Sequence, residues 1–137
     1  RHRYLGLKAL FPGVSDRELF RRHVRTMRDS GTAEAVVQSG YEATRRVLGE
    51  ERDVTALFYS TDLHALGGLR YLGERGTPPG PALRIAGSNN IEFISRFGPW
   101  PFSSVGMDFD AIESAVAEHL FDREPCSLDI PPRVHFR

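Results

Sequence analysis

A chain of 137 residues is long enough for one domain with a proper core and too short for two ordinary ones. Its 18 basic residues balance 18 acidic ones, whereas a domain that held nucleic acid by itself would be distinctly basic. One cysteine, Cys126, excludes an internal disulfide and a cysteine metal cage and fits a reducing, cytoplasmic setting.

The chain opens on Arg1 rather than Met and on no signal peptide, so a longer parent protein is expected. Tyr4–Leu10 is a short apolar run with the length of a buried strand. Beyond Gly13, Ser15 and Glu18 have capping-box spacing, in which hydroxyl and carboxylate each satisfy an orphan amide at a helix start. Leu19, Phe20, Val24 and Met27 follow at helical spacing up to Gly31. Arg21, Arg25 and Arg28 share one face of that helix beside Arg22, a stripe that is either solvated or turned to phosphate. Ala33–Val37 is read as another strand, and Ser39-Gly40-Tyr41-Glu42 repeats the capping-box spacing before a helix that ends near Gly49.

Val54–Tyr59 is the clearest strand, an apolar run without alternation that fits a parallel strand covered on both faces. Ser60-Thr61-Asp62 supplies cap chemistry for a helix whose Leu63, Leu66, Leu69 and Leu72 form a stripe. Gly67-Gly68 inside that stripe suits close packing. Pro78-Pro79-Gly80-Pro81 closes the unit, and Leu83–Ala86 is a strand running into the turn Gly87-Ser88-Asn89-Asn90. Ile91–Phe97 is a short helix stopped by Gly98-Pro99-Trp100-Pro101, with Trp100 placed to plug the core edge or stack on a sugar ring. Ser103–Met107 is one more strand. Asp108 caps a helix through Phe121 whose buried face is Ile112, Ala115, Val116 and Leu120, and Val134–Phe136 is a terminal strand. The alternation predicts one α/β domain over 1–137: a doubly wound, mainly parallel sheet with helices on both faces.

Open parallel sheets bind ligands where strand carboxyl ends turn into helices. Two such turns are polar here, around Thr61-Asp62 and around Asn89-Asn90. Their hydroxyl and amide groups both donate and accept, which suits sugar hydroxyls or a purine edge; the plainer reading is a helix cap and a turn tolerant of positive φ. No Gly-x-Ser-x-Gly elbow, Walker-type loop or His-Glu-x-x-His pair occurs. Asp62 and His64, two apart on a helix, make neither a dyad nor a metal pair. No enzyme, cofactor or metal site is expected, and no apolar run nears the about 18 residues of a membrane span.

The order of motifs resembles the effector domain of LacI/GalR-family regulators. Val54 to Gly67 is similar to a family segment in which a strand ends in a small-Asn/Ser-Asp sequence before a Met-Ala-Leu-Gly-like helix. Ser39-Gly40-Tyr41-Glu42-Ala43 resembles a helix start, and Arg84 to Asn90 resembles a Val-Val-Gly-Phe-Asp-Asp turn. Trp100 to Val105 resembles a Pro-Pro-Leu-Thr-Thr-Val strand, and Pro131-Pro132 resembles a late proline pair. The resemblance implies the carboxyl-terminal lobe of a type I periplasmic-binding-protein-like sensor, with 108–137 crossing to a missing lobe or packing on a partner.

By that likeness Thr61 and Asn89 contact a sugar-like or purine-like effector, Asp62 either touches it or braces the turn, and Leu66 lies in a homodimer interface. Operator DNA is met only by a helix-turn-helix head outside this chain. Arg17 takes the place of the arginine that in the family holds effector only if the register or the helix start shifts, since the best alignment places Leu19 there and Arg22 at a glycine. Asn89 also replaces a common Asp, and the Gly31 to Ser39 stretch is shorter than usual. A periplasmic-type sugar-binding protein of a transporter is the alternative.

Overall fold

The computed structural model describes residues 31–121 and 127–137, together with 13 and 15. The strand read at Tyr4–Leu10, the helix from Ser15 with its arginine stripe, Arg17 and Cys126 lie outside the described residues. In chain order the described elements are α1 (Ala33–Glu50), β1 (Ala56–Phe58), α2 (Asp62–Glu74) and β2 (Arg84–Ser88). They continue as α3 (Glu92–Phe97), β3 (Ser103–Gly106), α4 (Phe109–His119) and β4 (Arg133–His135). The sheet order is β1-β2-β3-β4, with the first three strands parallel and β4 antiparallel to β3. The α/β fold with a mainly parallel sheet is therefore as the alternation predicts.

Two expectations fail in α1. Ala33–Val37 is not a strand but the first turns of an 18-residue helix, started by Thr32, whose hydroxyl accepts from the Ala35 amide at 3.2 Å. Ser39 therefore caps nothing. Glu42, instead of reaching back to an orphan amide, bonds Gln38 at 3.1 Å and Arg45 at 2.8 Å. The physical reason is Gly40, which looks like a break but marks the seam with α2. A Cβ there would overlap the His64 carbonyl, and one on Gly67 would overlap the Val37 carbonyl and stand 2.7 Å from the Tyr41 nitrogen. Side chains this small let two helix backbones touch, and packing then outweighs the intrinsic cost of glycine in a helix.

The core lies between this helix pair and one sheet face: Tyr59, Ala65, Leu69, Leu72, Ile85 and Phe102 are buried together. Leu69 and Leu72 belong to the predicted stripe, while Leu63 and Leu66 are only half-buried because the seam is turned toward Gly67 and Gly68. Trp100 packs against the core edge over Gly73, as the plug reading has it. The strand around β1 is not covered on both faces, since Phe58 is 58% exposed and Ala56 is exposed too. The buried face expected on α4 is also absent: none of its residues is buried, Val116 is 53% exposed and Leu120, just beyond it, 64%.

Tyr59 ties the layers, its hydroxyl 2.7 Å from that of Thr44, which donates to the Gly40 carbonyl at 2.7 Å. Burial pushes this phenol up to about 12, against a smaller opposing effect of the Thr44 hydrogen bond. The folded chain thus keeps a proton that the unfolded chain releases near the ordinary 10.0. Stability linked to Tyr59 is full below that value and is lost as pH climbs through the interval to about 12. An ultraviolet titration should show one tyrosine ionising together with loss of structure, and Tyr59→Phe should abolish that late step.

Candidate functional site

The carboxyl ends of β1 and β2 lie side by side, so the turns that follow them share one edge of the sheet. In the first turn Thr61, not Asp62, is the helix cap. Its hydroxyl accepts from the His64 amide at 3.2 Å and lies 2.9 Å from His64 Nδ1, with the Ser60 hydroxyl 3.1 Å from the same nitrogen. This local ring of short polar side chains orients Thr61 and buries the imidazole.

Asp62 opens α2 and is fully buried. It accepts from the Ile91 amide at 2.6 Å through one oxygen and from the Ser104 hydroxyl at 2.7 Å through the other. One carboxylate therefore joins the β1 turn, the β2 turn and β3. Burial raises its pKa, opposed by the Ser104 hydroxyl, the Ile91 amide and the positive charge of Arg137. Such a group braces the site. Gly87 beneath it has to be glycine, because a Cβ would overlap the carboxylate and press on Phe102 at 2.8 Å.

In the second turn Asn89 and Asn90 have φ of +99° and +50°, the left-handed region that asparagine tolerates better than most residues. The Asn89 amide donates to the Val105 carbonyl at 2.7 Å and the Asn90 amide to the Ser104 hydroxyl at 3.1 Å. Asn89 is exposed, and its carboxamide makes no hydrogen bond among the described residues. The Asn90 carboxamide oxygen instead accepts from Arg137 at 3.0 Å.

The structure thus brings Thr61, Asp62 and Asn89 to one edge. Leu66, half-buried, lies one helical turn beyond Asp62, and Arg17 is outside the described residues. Ser104 and Arg137 are the participants that sequence reasoning passed over. Ser104 lay in a segment read as a strand, and Arg137 is 47 residues from its Asn90 partner with no local signature. No group of three or more His, Cys, Asp or Glu side chains among the described residues could hold a metal ion. The arrangement offers neutral donors and acceptors on a rigid turn, which suits binding a polar small molecule.

No family model matches the chain. The HTH-type transcriptional repressor PurR of Pasteurella multocida is 29% identical over 86 residues, which are 63% of this chain and 25% of that protein. The chain therefore spans about a quarter of the length of this curated relative. A LacI family transcriptional regulator from Silicibacter pomeroyi superposes with a TM-score of 0.59 at 29% identity, over 74% of this chain and 37% of that one. The transcriptional regulator CelR, solved as a cellobiose complex, does so at 0.61 and 26% identity, over 74% and 32%. The chain is a homologue of LacI-family transcriptional regulators and matches part of their effector-binding domain.

Proposed function

We propose that this chain is one lobe of the effector-sensing and dimerising domain of a LacI/GalR-like transcriptional regulator. Thr61 and Asn89 form a wall for a sugar-like or purine-like small molecule, and Asp62 holds that wall in shape. The observation that supports the reading is the Asp62 carboxylate, which follows the β1 turn and accepts from Ile91 after the β2 turn and from Ser104 of β3, so that Thr61 and Asn89 share an edge. Leu66 belongs to the contact between two copies, and the exposed face of α4 within 108–137 meets a second lobe or a partner. The regulator works in the cytoplasm, performs no catalysis, and touches operator DNA through a separate head. Ligand acts by favouring one arrangement of the lobes and so of the dimer. The regulator reading stands above the transporter alternative because the relatives are regulators.

Calorimetry of the full-length regulator against a panel of saccharides and purine nucleosides tests this. One class should bind, and Asn89→Gly, which keeps the +99° backbone without strain, should weaken it about tenfold, the worth of one lost hydrogen bond. The 137-residue chain should bind the same compound far more weakly, with half the cleft missing. Tight binding to this chain alone, or an Asn89→Gly affinity equal to that of the parent, would overturn the proposal.

A further inference from the structure

We propose that Arg137 is the positioning residue of the Asn89-Asn90 turn, a clasp that fixes the recognition wall from the last strand of the sheet. The inference rests on the reading of that turn as an effector wall. Because β4 runs antiparallel to β3, the chain beyond His135 returns toward the start of β3. There the Arg137 amide donates to the Ser103 hydroxyl at 3.3 Å. Its guanidinium reaches α3 and the turn together: Nη1 donates to Ser95 Oγ at 2.6 Å and to Asn90 Oδ1 at 3.0 Å. Ser95 is fully buried and donates in turn to the Ile91 carbonyl at 3.2 Å.

Two successive non-glycine residues with positive φ persist only where the surroundings over-determine them. The amides of Asn89 and Asn90 are held by β3, but the Asn90 side chain has no partner among the described residues except Arg137. A hydrogen bond from a charged donor is stronger than one between neutral groups. Arg137 therefore sets which way the turn presents Asn89, although it does not itself stand on the wall.

Amide hydrogen exchange on the full chain, read by NMR, tests the clasp. Arg137→Ala should speed exchange at Asn90 and Ile91 at least tenfold and shift the Asn90 carboxamide resonances. The amides of Tyr59 and Ala65, bonded to the carbonyls of Ala86 and Thr61, should be unchanged. Arg137→Lys, which keeps the charge without the fork, should restore part of the protection. Unchanged exchange at Asn90 and Ile91, or an increase shared by Tyr59 and Ala65 in both variants, would overturn the proposal. The readout needs no ligand, so its failure leaves the effector reading standing, and loss of that reading leaves the exchange pattern intact.

Discussion

Gly67→Ala should destabilise the chain by about 3 kcal/mol, at the upper end of the range for overpacked cores. The added methyl would fall on the Val37 carbonyl and the Tyr41 amide, both backbone atoms of α1 that no rotamer change can move. The helices would have to part, and with them the Tyr59–Thr44 bond and the burial of Leu69 and Leu72. Gly40→Ala should cost a similar amount from the other side of the seam. Gly49→Ala is the control, since a Cβ there meets nothing within 4 Å. That substitution should stabilise α1 by about 0.5–1 kcal/mol through helix propensity alone. Thermal unfolding separates the cases: the seam variants should melt on the order of 10 °C lower, and Gly49→Ala slightly higher. Equal melting of Gly67→Ala and Gly49→Ala would show that the backbones are not in contact.

Replacing Asp62 should distinguish its shape from its charge. Asp62→Ala leaves the Ile91 amide and the Ser104 hydroxyl without their acceptor in a buried place, a loss of about 3 kcal/mol. Asp62→Asn can still accept from Ile91 and donate to Ser104 once that hydroxyl turns its proton away, so about 1 kcal/mol is expected. The pH dependence separates them further. Burial raises the Asp62 pKa, so between the ordinary carboxylate value and the raised one the folded chain holds this proton more tightly than the unfolded chain does. Stability from this group is greatest below the ordinary carboxylate value and falls as pH rises through the interval up to the raised one. Asp62→Asn should remove that slope from chemical denaturation curves measured across mildly acidic pH. A slope that persists in the variant would assign it to another group.

The alternation of short apolar runs with capped helices made the sheet legible, because each run from Val54 onward ends at a turn-forming residue. Residues that work across the chain were legible only in part. Asn89 and Asn90 announce a tight turn by type and both take positive φ, but Gly87 and Ser88, read as part of that turn, belong to β2. Asp62 looks like a helix cap because its partners, Ile91 and Ser104, are 29 and 42 positions away. Gly40 mimics a helix boundary because local sequence cannot distinguish a glycine that ends a helix from one that admits a neighbouring backbone. The uncovered α4 shows the same limit from the other side. An apolar stripe states that a face needs covering, not what covers it.

Helices whose main chains touch at Gly40 and Gly67 cannot slide, because sliding needs side chains that can exchange one set of grooves for another. Any response to a bound molecule must therefore carry α1 and α2 as one rigid body. Shear is left to α4 and β4, whose side chains are mostly exposed and which meet through Arg133 and the carboxylates of Asp108 and Asp110.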